Sequence, residues 1–205
     1  MPHSKPVRPG IDRRMSKEEI NACPIARWAG PVSVVRSREE LTDALRKLAG
    51  ESLLGFDTET RPAYTKGENY PPSLLQLAGE REVFIFQLKH VHLPKPLREI
   101  LADPAIIKAG VSLDYDIREL KKMSRFQAAG FMDLGERAKK EGIKNHGLRG
   151  LAAVFLGFRI AKGEQTSNWA RDVLTSRQIR YAATDAWIGR ELYRAIEQFI
   201  NLDAA

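Results

Sequence analysis

The sequence predicts an α/β fold, a mixed five-stranded sheet flanked by helices in a single domain. Three observations predict it. Short aliphatic and β-branched runs recur through the first half of the chain and alternate with segments whose apolar residues fall at helical spacing. Helical patterns dominate the C-terminal half and end in a long one. The 205 residues suit one domain with a full hydrophobic core.

Residues 1–27 read as an N-terminal extension, a tail with a short helical piece over 17–21, and the domain proper occupies 28–205. Strands are expected over 32–35, 52–56, 73–77, 83–86 and 106–111. Helices are expected over 38–48, 97–101, 116–123, 147–156 and 176–200. The fourth helix carries Leu148, Leu151, Ala152, Phe155 and Leu156 at helical spacing. In the last, Tyr181, Asp185, Ile188, Leu192 and Phe199 run along one margin of a broad apolar face that also holds Ile179, Ala182, Ala186, Tyr193, Ile196 and Ile200. The loop over 61–72 is a long polar insertion, and its Lys66 is placed to face a ligand.

Composition narrows the partners. Lys and Arg number 33 against 26 Asp and Glu, a net charge of +7. Residues 121–180 hold 13 basic and 5 acidic side chains, so the excess is local. Such a patch binds nucleic-acid phosphates in a salt-sensitive, largely sequence-blind way. Arg149, Lys162, Arg171, Arg177 and Arg180 are the candidate backbone contacts, and Phe126, Phe158 and Trp169 are candidates for stacking on bases, although aromatics at helical spacing also serve as core. Cys23 is alone, which excludes an internal disulfide and suits a reducing, cytoplasmic setting. Residues 1–10 lack the apolar core of a signal peptide. The apolar stretch over 151–158 falls well short of the roughly 20 residues that cross a bilayer, so no membrane role is expected. His146 has no second ligand at helical spacing and reads as a loop or cap residue, not zinc.

Three groups of acids need explaining. Asp57-Thr58-Glu59 follows the apolar run 52–56, and alternation along a strand puts Asp57 and Glu59 on one face, about 6–7 Å apart at Cα. Carboxylates leaving water repel one another unless a cation meets them, although a turn-capping Asp beside a solvated Glu gives the same pattern. Asp114 and Asp116 stand near a helix start, where the helix dipole favours acids and where a plain cap is the competing reading. Asp185 lies one turn beyond Tyr181 on a stripe that faces protein, where an acid without a partner is rare.

Taken in order, Phe56-Asp57-Thr58-Glu59-Thr60-Arg61-Pro62, Lys66-Gly67, Leu74-Leu75-Gln76-Leu77, the segment 108–120, Leu148-Arg149-Gly150-Leu151-Ala152, Ser167-Asn168-Trp169 and Tyr181-Ala182-Ala183-Thr184-Asp185-Ala186 resemble the DEDDy branch of the DnaQ-like 3′-5′ exonucleases, of the Werner-exonuclease and RNase D type. The resemblance covers about residues 32–200 and implies a ribonuclease-H-like fold.

It also implies a chemistry: metal-dependent removal of nucleoside 5′-monophosphates from a free 3′ end of DNA or RNA, with two divalent cations, Mg or Mn. Asp57 and Glu59 would be the first acidic pair, Asp116 the middle acid, Asp185 the last, and Tyr181 the branch-defining tyrosine that orients the attacking water. Asp116 is preferred over Asp114 because Leu120 follows it by four residues, as in the family pattern. RNase D-like proteins carry further helical domains after the nuclease, so the stand-alone Werner type is the nearer comparison. Two alternatives stand beside the enzyme: a nucleic-acid-binding module with an idle nuclease fold, and a proofreading subunit docked to a polymerase through the N-terminal tail.

Overall fold

Side-chain caps start the first two helices. Ser16 accepts from the Glu19 amide while Glu19 accepts from the Ser16 amide, closing a capping box before α1 (Lys17–Ala22). Ser37 and Glu40 repeat the arrangement between β1 (Val32–Val35) and α2 (Arg38–Leu48). The chain then forms β2 (Leu53–Glu59), β3 (Leu74–Ala78), β4 (Val83–Gln87), α3 (Leu88–Val91), α4 (Lys95–Ala102), β5 (Ile107–Gly110) and α5 (Asp114–Met123). β6 (Phe131–Asp133), α6 (Leu134–Lys140), α7 (Leu148–Leu151) and α8 (Ser176–Asp203) complete it. The structure, a computed structural model, describes residues 8–203; the proline- and lysine-containing start, residues 1–7, lies outside the described residues.

The six strands lie in the order β1-β4-β3-β2-β5-β6. β3 runs antiparallel to both neighbours and the other pairs are parallel, so the sheet is mixed. It has one strand more than the sequence pattern predicts. β6 is three residues long, too short to show alternation, and exists through pairing of Lys108, Ala109 and Gly110 with Phe131, Met132 and Asp133. β2 runs to Glu59, three residues past its expected end, so the first two acids lie inside a central strand. The helix expected over 147–156 divides into α7 and a π-helical segment, Ala152–Leu156, that stops at Gly157 with φ 70°.

Each sheet face has its own core. Leu54, Phe56, Leu75, Leu77, Phe84 and Phe86 pack with Leu48, Leu97, Leu101 and Leu120 from α2, α4 and α5. On the opposite face, Leu74, Ala78, Val83 and Ile85 pack with Ala182, Ala183 and Ala186 of α8 and with Trp169. Farther along α8, Ile188, Leu192 and Ile196 cover Ala109 and Leu134.

Small residues let α8 lie almost on the strands. A Cβ on Gly55 would stand 1.9 Å from the Ala186 carbonyl oxygen, and one on Gly189 would stand 2.6 Å from that of Ala109. The close approach brings acids on β2 and α8 together.

Residues 8–28 pack along the C-terminal half. The Lys144 amide donates to Gly10 O (2.9 Å), the Met15 amide to Asn145 Oδ1 (3.0 Å), and across a bridge at Ile25 the Ala26 amide donates to Arg159 O (3.0 Å) and the Arg159 amide to Pro24 O (2.8 Å). Trp28 donates its amide to Thr184 Oγ1 (3.0 Å) and sets its ring 5.7 Å from that of Trp187. Among the described residues no helix is long and apolar enough to cross a membrane.

Candidate active site

Alternation along β2 sends Gly55, Asp57 and Glu59 toward α8, and Phe56 and Thr58 to the other face. Asp185, only 7% exposed, meets the pair from α8. Ligand oxygens of Asp57, Glu59 and Asp185 all lie within 4.8 Å of one another. Asp185 Oδ1 is buried and has no hydrogen-bond partner among the described residues.

Three like charges at this spacing are unstable alone. Burial, then the charges of Asp185 and Asp116, hold the Asp57 carboxyl well above the usual carboxylate range. Burial, then Asp57, Asp185 and Asp116, push Glu59 up to about 10. Burial lifts Asp185 to about 7, and the neighbouring Tyr181 hydroxyl opposes the rise. A hard divalent cation would remove the repulsion and supply the partner that Asp185 Oδ1 lacks. The all-oxygen donor set fits magnesium or manganese better than a thiolate-seeking ion.

Asp116 stands apart from these three. It rises from the first turn of α5, on the face of β2 opposite α8, and accepts a hydrogen bond from the Thr58 hydroxyl. Three of the four expected acids therefore converge directly. The fourth lies outside this group of three, near enough for its charge to raise Asp57 and Glu59. Its own carboxyl is raised by burial and lowered by the Thr58 bond. Asp114 is exposed on the outer surface of α5 beside Arg118 and Lys121, so the structure separates the two candidates cleanly.

Comparison with known proteins shows the family. A family profile described as 3′-5′ exonuclease matches residues 32–201. The chain belongs to this family. Its members hydrolyse phosphodiester bonds, and the match spans every strand of the sheet and most of α8.

Among relatives of the exonuclease domain, DNA polymerase I of Aquifex aeolicus (strain VF5) is 29% identical over 171 residues, covering 83% of this chain and 28% of that protein. The bifunctional 3′-5′ exonuclease/ATP-dependent helicase WRN of Mus musculus is 29% identical over 160 residues, 75% of this chain and 11% of that protein. The chain thus spans a minor part of both relatives. The crystal structure of the Aedes aegypti Nibbler EXO domain superposes with a TM-score of 0.71 at 25% identity, covering 83% of this chain and 88% of that one.

Tyr181 borders the acid cluster of the exonuclease domain. Its ring lies 5.9 Å from that of Trp169. Burial, and the charges of Asp185 and Glu59, push its hydroxyl far above the usual phenol value. Beside it opens a cavity of about 330 Å³ lined by Arg27, Glu164, Arg177, Arg180, Tyr181 and Asp185 among others. Gln178, fully buried, donates its amide to Ser167 Oγ (2.9 Å) and Asn168 O (3.1 Å), pinning the preceding loop to the first turn of α8.

The expected nucleic-acid contacts divide. Arg177 and Arg180 line the cavity, with Arg177 paired to Glu164 at 3.1 Å. Lys66, Lys162 and Arg171 are exposed on loops. Arg149 faces elsewhere, donating to Asn21 Oδ1 at 3.1 Å with its Nε buried, so it ties α7 to α1.

Trp169 corrects the expectation of base stacking. It is 0% exposed and belongs to the core under α8, because a ring of that size gains most by leaving water completely. Phe126 packs against the other core, and Phe158 stacks on Trp187 at 5.7 Å.

Sequence reasoning assigned no role to Thr58, Gln76, Gln178 or Arg27. Gln76 left a signal, a lone polar residue inside the apolar strand 73–77. Arg27 left none, because its position beside Asp185 depends on how residues 8–28 fold back.

Proposed function

We propose that the chain is a metal-dependent 3′-5′ exonuclease that releases nucleoside 5′-monophosphates one at a time from a free 3′ end. The convergence of Asp57, Glu59 and Asp185 oxygens within 4.8 Å carries this reading. Asp57, Glu59 and Asp185 would hold one divalent cation, and Asp116 would help hold a second. Two such ions, when bound, activate water and neutralise charge on the phosphoryl and leaving oxygens.

The chain's own residues do the rest. Tyr181 keeps its proton at neutral pH, so it orients the attacking water by hydrogen bonding and does not act as the base. Arg180 and Arg27 border the same cavity and meet the strand's phosphates. Lys66, Lys162, Arg171 and Arg177 extend that basic surface with contacts that position without reading sequence.

End-labelled single-stranded and recessed-3′ DNA and RNA, offered with magnesium, manganese or a chelator, test the proposal. A ladder shortening from the 3′ end only with metal is the expected result. Products unaffected by chelator, or no digestion of any of the four substrates, would overturn it. The ranking of substrates separates DNA from RNA, which turns on contacts to the 2′-hydroxyl.

A further inference from the structure

We infer that Gln76 is a positioning residue for Asp57, holding its carboxylate in the orientation that binds cations; this rests on the exonuclease reading of the acid cluster. Gln76 lies on β3 directly opposite Asp57 on β2, with Ile85 of β4 on its other side. Its neighbours along the same strand face, Leu74 and Ala78, are fully buried in the layer formed with Ala182, Ala183 and Ala186. Gln76 is 0% exposed, and neither its Nε2 nor its Oε1 has a hydrogen-bond partner among the described residues.

A primary amide buried without partners carries a desolvation penalty that a leucine or methionine of similar size avoids. In this layer of methyl groups the amide therefore calls for a polar neighbour. Side chains directly opposite in an antiparallel pair have Cβ atoms about 4.5–5.5 Å apart, within reach of a glutamine extended toward an aspartate. Asp57 is the acid in register with it.

With Asp57 acting as a cation ligand, the Gln76 N–H would donate to one of its carboxylate oxygens and fix its plane. A neutral amide suits this task better than a lysine. It orients the carboxylate without adding a positive charge that would compete with the cation.

The test compares wild type with Gln76→Met, Asp57→Asn and the double variant in two measurements, calorimetric Mn²⁺ titration without nucleic acid and thermal unfolding in chelator. Gln76→Met should weaken Mn²⁺ binding by about 10–100-fold, with a Tm in chelator equal to or above that of wild type. On the Asp57→Asn background the same change should produce no further loss. Unchanged Mn²⁺ affinity in Gln76→Met, a fall matched by a large drop in Tm, or additive losses in the double variant would each overturn the inference while leaving the exonuclease reading standing if wild type digests 3′ ends. Absence of Mn²⁺ binding by wild type would overturn both.

Discussion

Leu54 and Phe56 on one face of β2 are sealed among α2, α4 and α5, whereas Gly55, Asp57 and Glu59 on the other meet α8. The first face follows packing rules: Leu54 and Phe56 join a cluster of buried apolar side chains, and Phe56 sets its ring edge-on to Phe131 at 5.1 Å. The second gathers three carboxyls whose proton affinities are all raised. One strand therefore holds, on alternate residues, part of the domain's stability and a site that opposes it. Binding sites are where such local conflict is expected, because a ligand resolves it.

The sharpest way to break this contrast is Asp57→Asn. Metal-dependent digestion should fall by more than about 100-fold, exceeding the loss seen when a residue one layer behind a metal ligand is changed. The same substitution should raise Tm in chelator, because it removes one of three repelling carboxyls. A lower Tm would show that the two faces do not divide stability and chemistry as described.

Phe56→Ala probes the other side and should destabilise by about 3–5 kcal/mol. At roughly 2–4 °C per kcal/mol for a chain of this size, the drop is on the order of 10 °C by calorimetry. Retention of the wild-type Tm would place the core elsewhere.

Thr58→Val sits on the boundary, since Thr58 shares the packed face yet bonds to Asp116. Its loss frees a carboxyl that the bond holds down, so digestion should slow by about 10-fold, within the range for a residue supporting a metal ligand. The Tm should move by only a few degrees, since a single hydrogen bond contributes about 1 kcal/mol.

The smallest effect is on pH dependence without metal. Asp57, Glu59 and Asp185 have folded-state values above their unfolded ones near 4, so their stabilising contribution is complete below about pH 4. It is lost as pH rises through about 7 for Asp185 and about 10 for Glu59. In chelator, Tm should therefore fall by a few degrees from pH 5 to pH 9. Added magnesium should restore it increasingly as pH rises. A Tm that climbs with pH in chelator would contradict the raised carboxyls.

Periodicity located β1 to its residues, and the strand and helix order was legible because aliphatic runs and helical stripes have different spacings. β6 escaped because three residues make no pattern and only the neighbour β5 defines it. The apolar run marks only residues 52–56, although the alternation that puts Asp57 and Glu59 on one face runs on to the strand's end at Glu59. A central strand that carries Asp and Glu contradicts strand propensity, and pairing with β3 overrides it. The chemistry of Trp169 suits either a base platform or core, and its complete burial is a property of the loop that Gln178 anchors.

Taken by itself, the sequence determined which acids exist, that Asp57 and Glu59 share a strand face, and that Tyr181 and Asp185 share a helix face, because those relations follow from the two backbone repeats. Only the tertiary structure decided that Asp185 reaches the strand pair while Asp116 bonds to Thr58, and that Gln76 is shut in beside Asp57. Those relations depend on the distance between α8 and the sheet, which Gly55 and Gly189 set by omitting a Cβ, and on partners far apart in the chain that no local repeat connects.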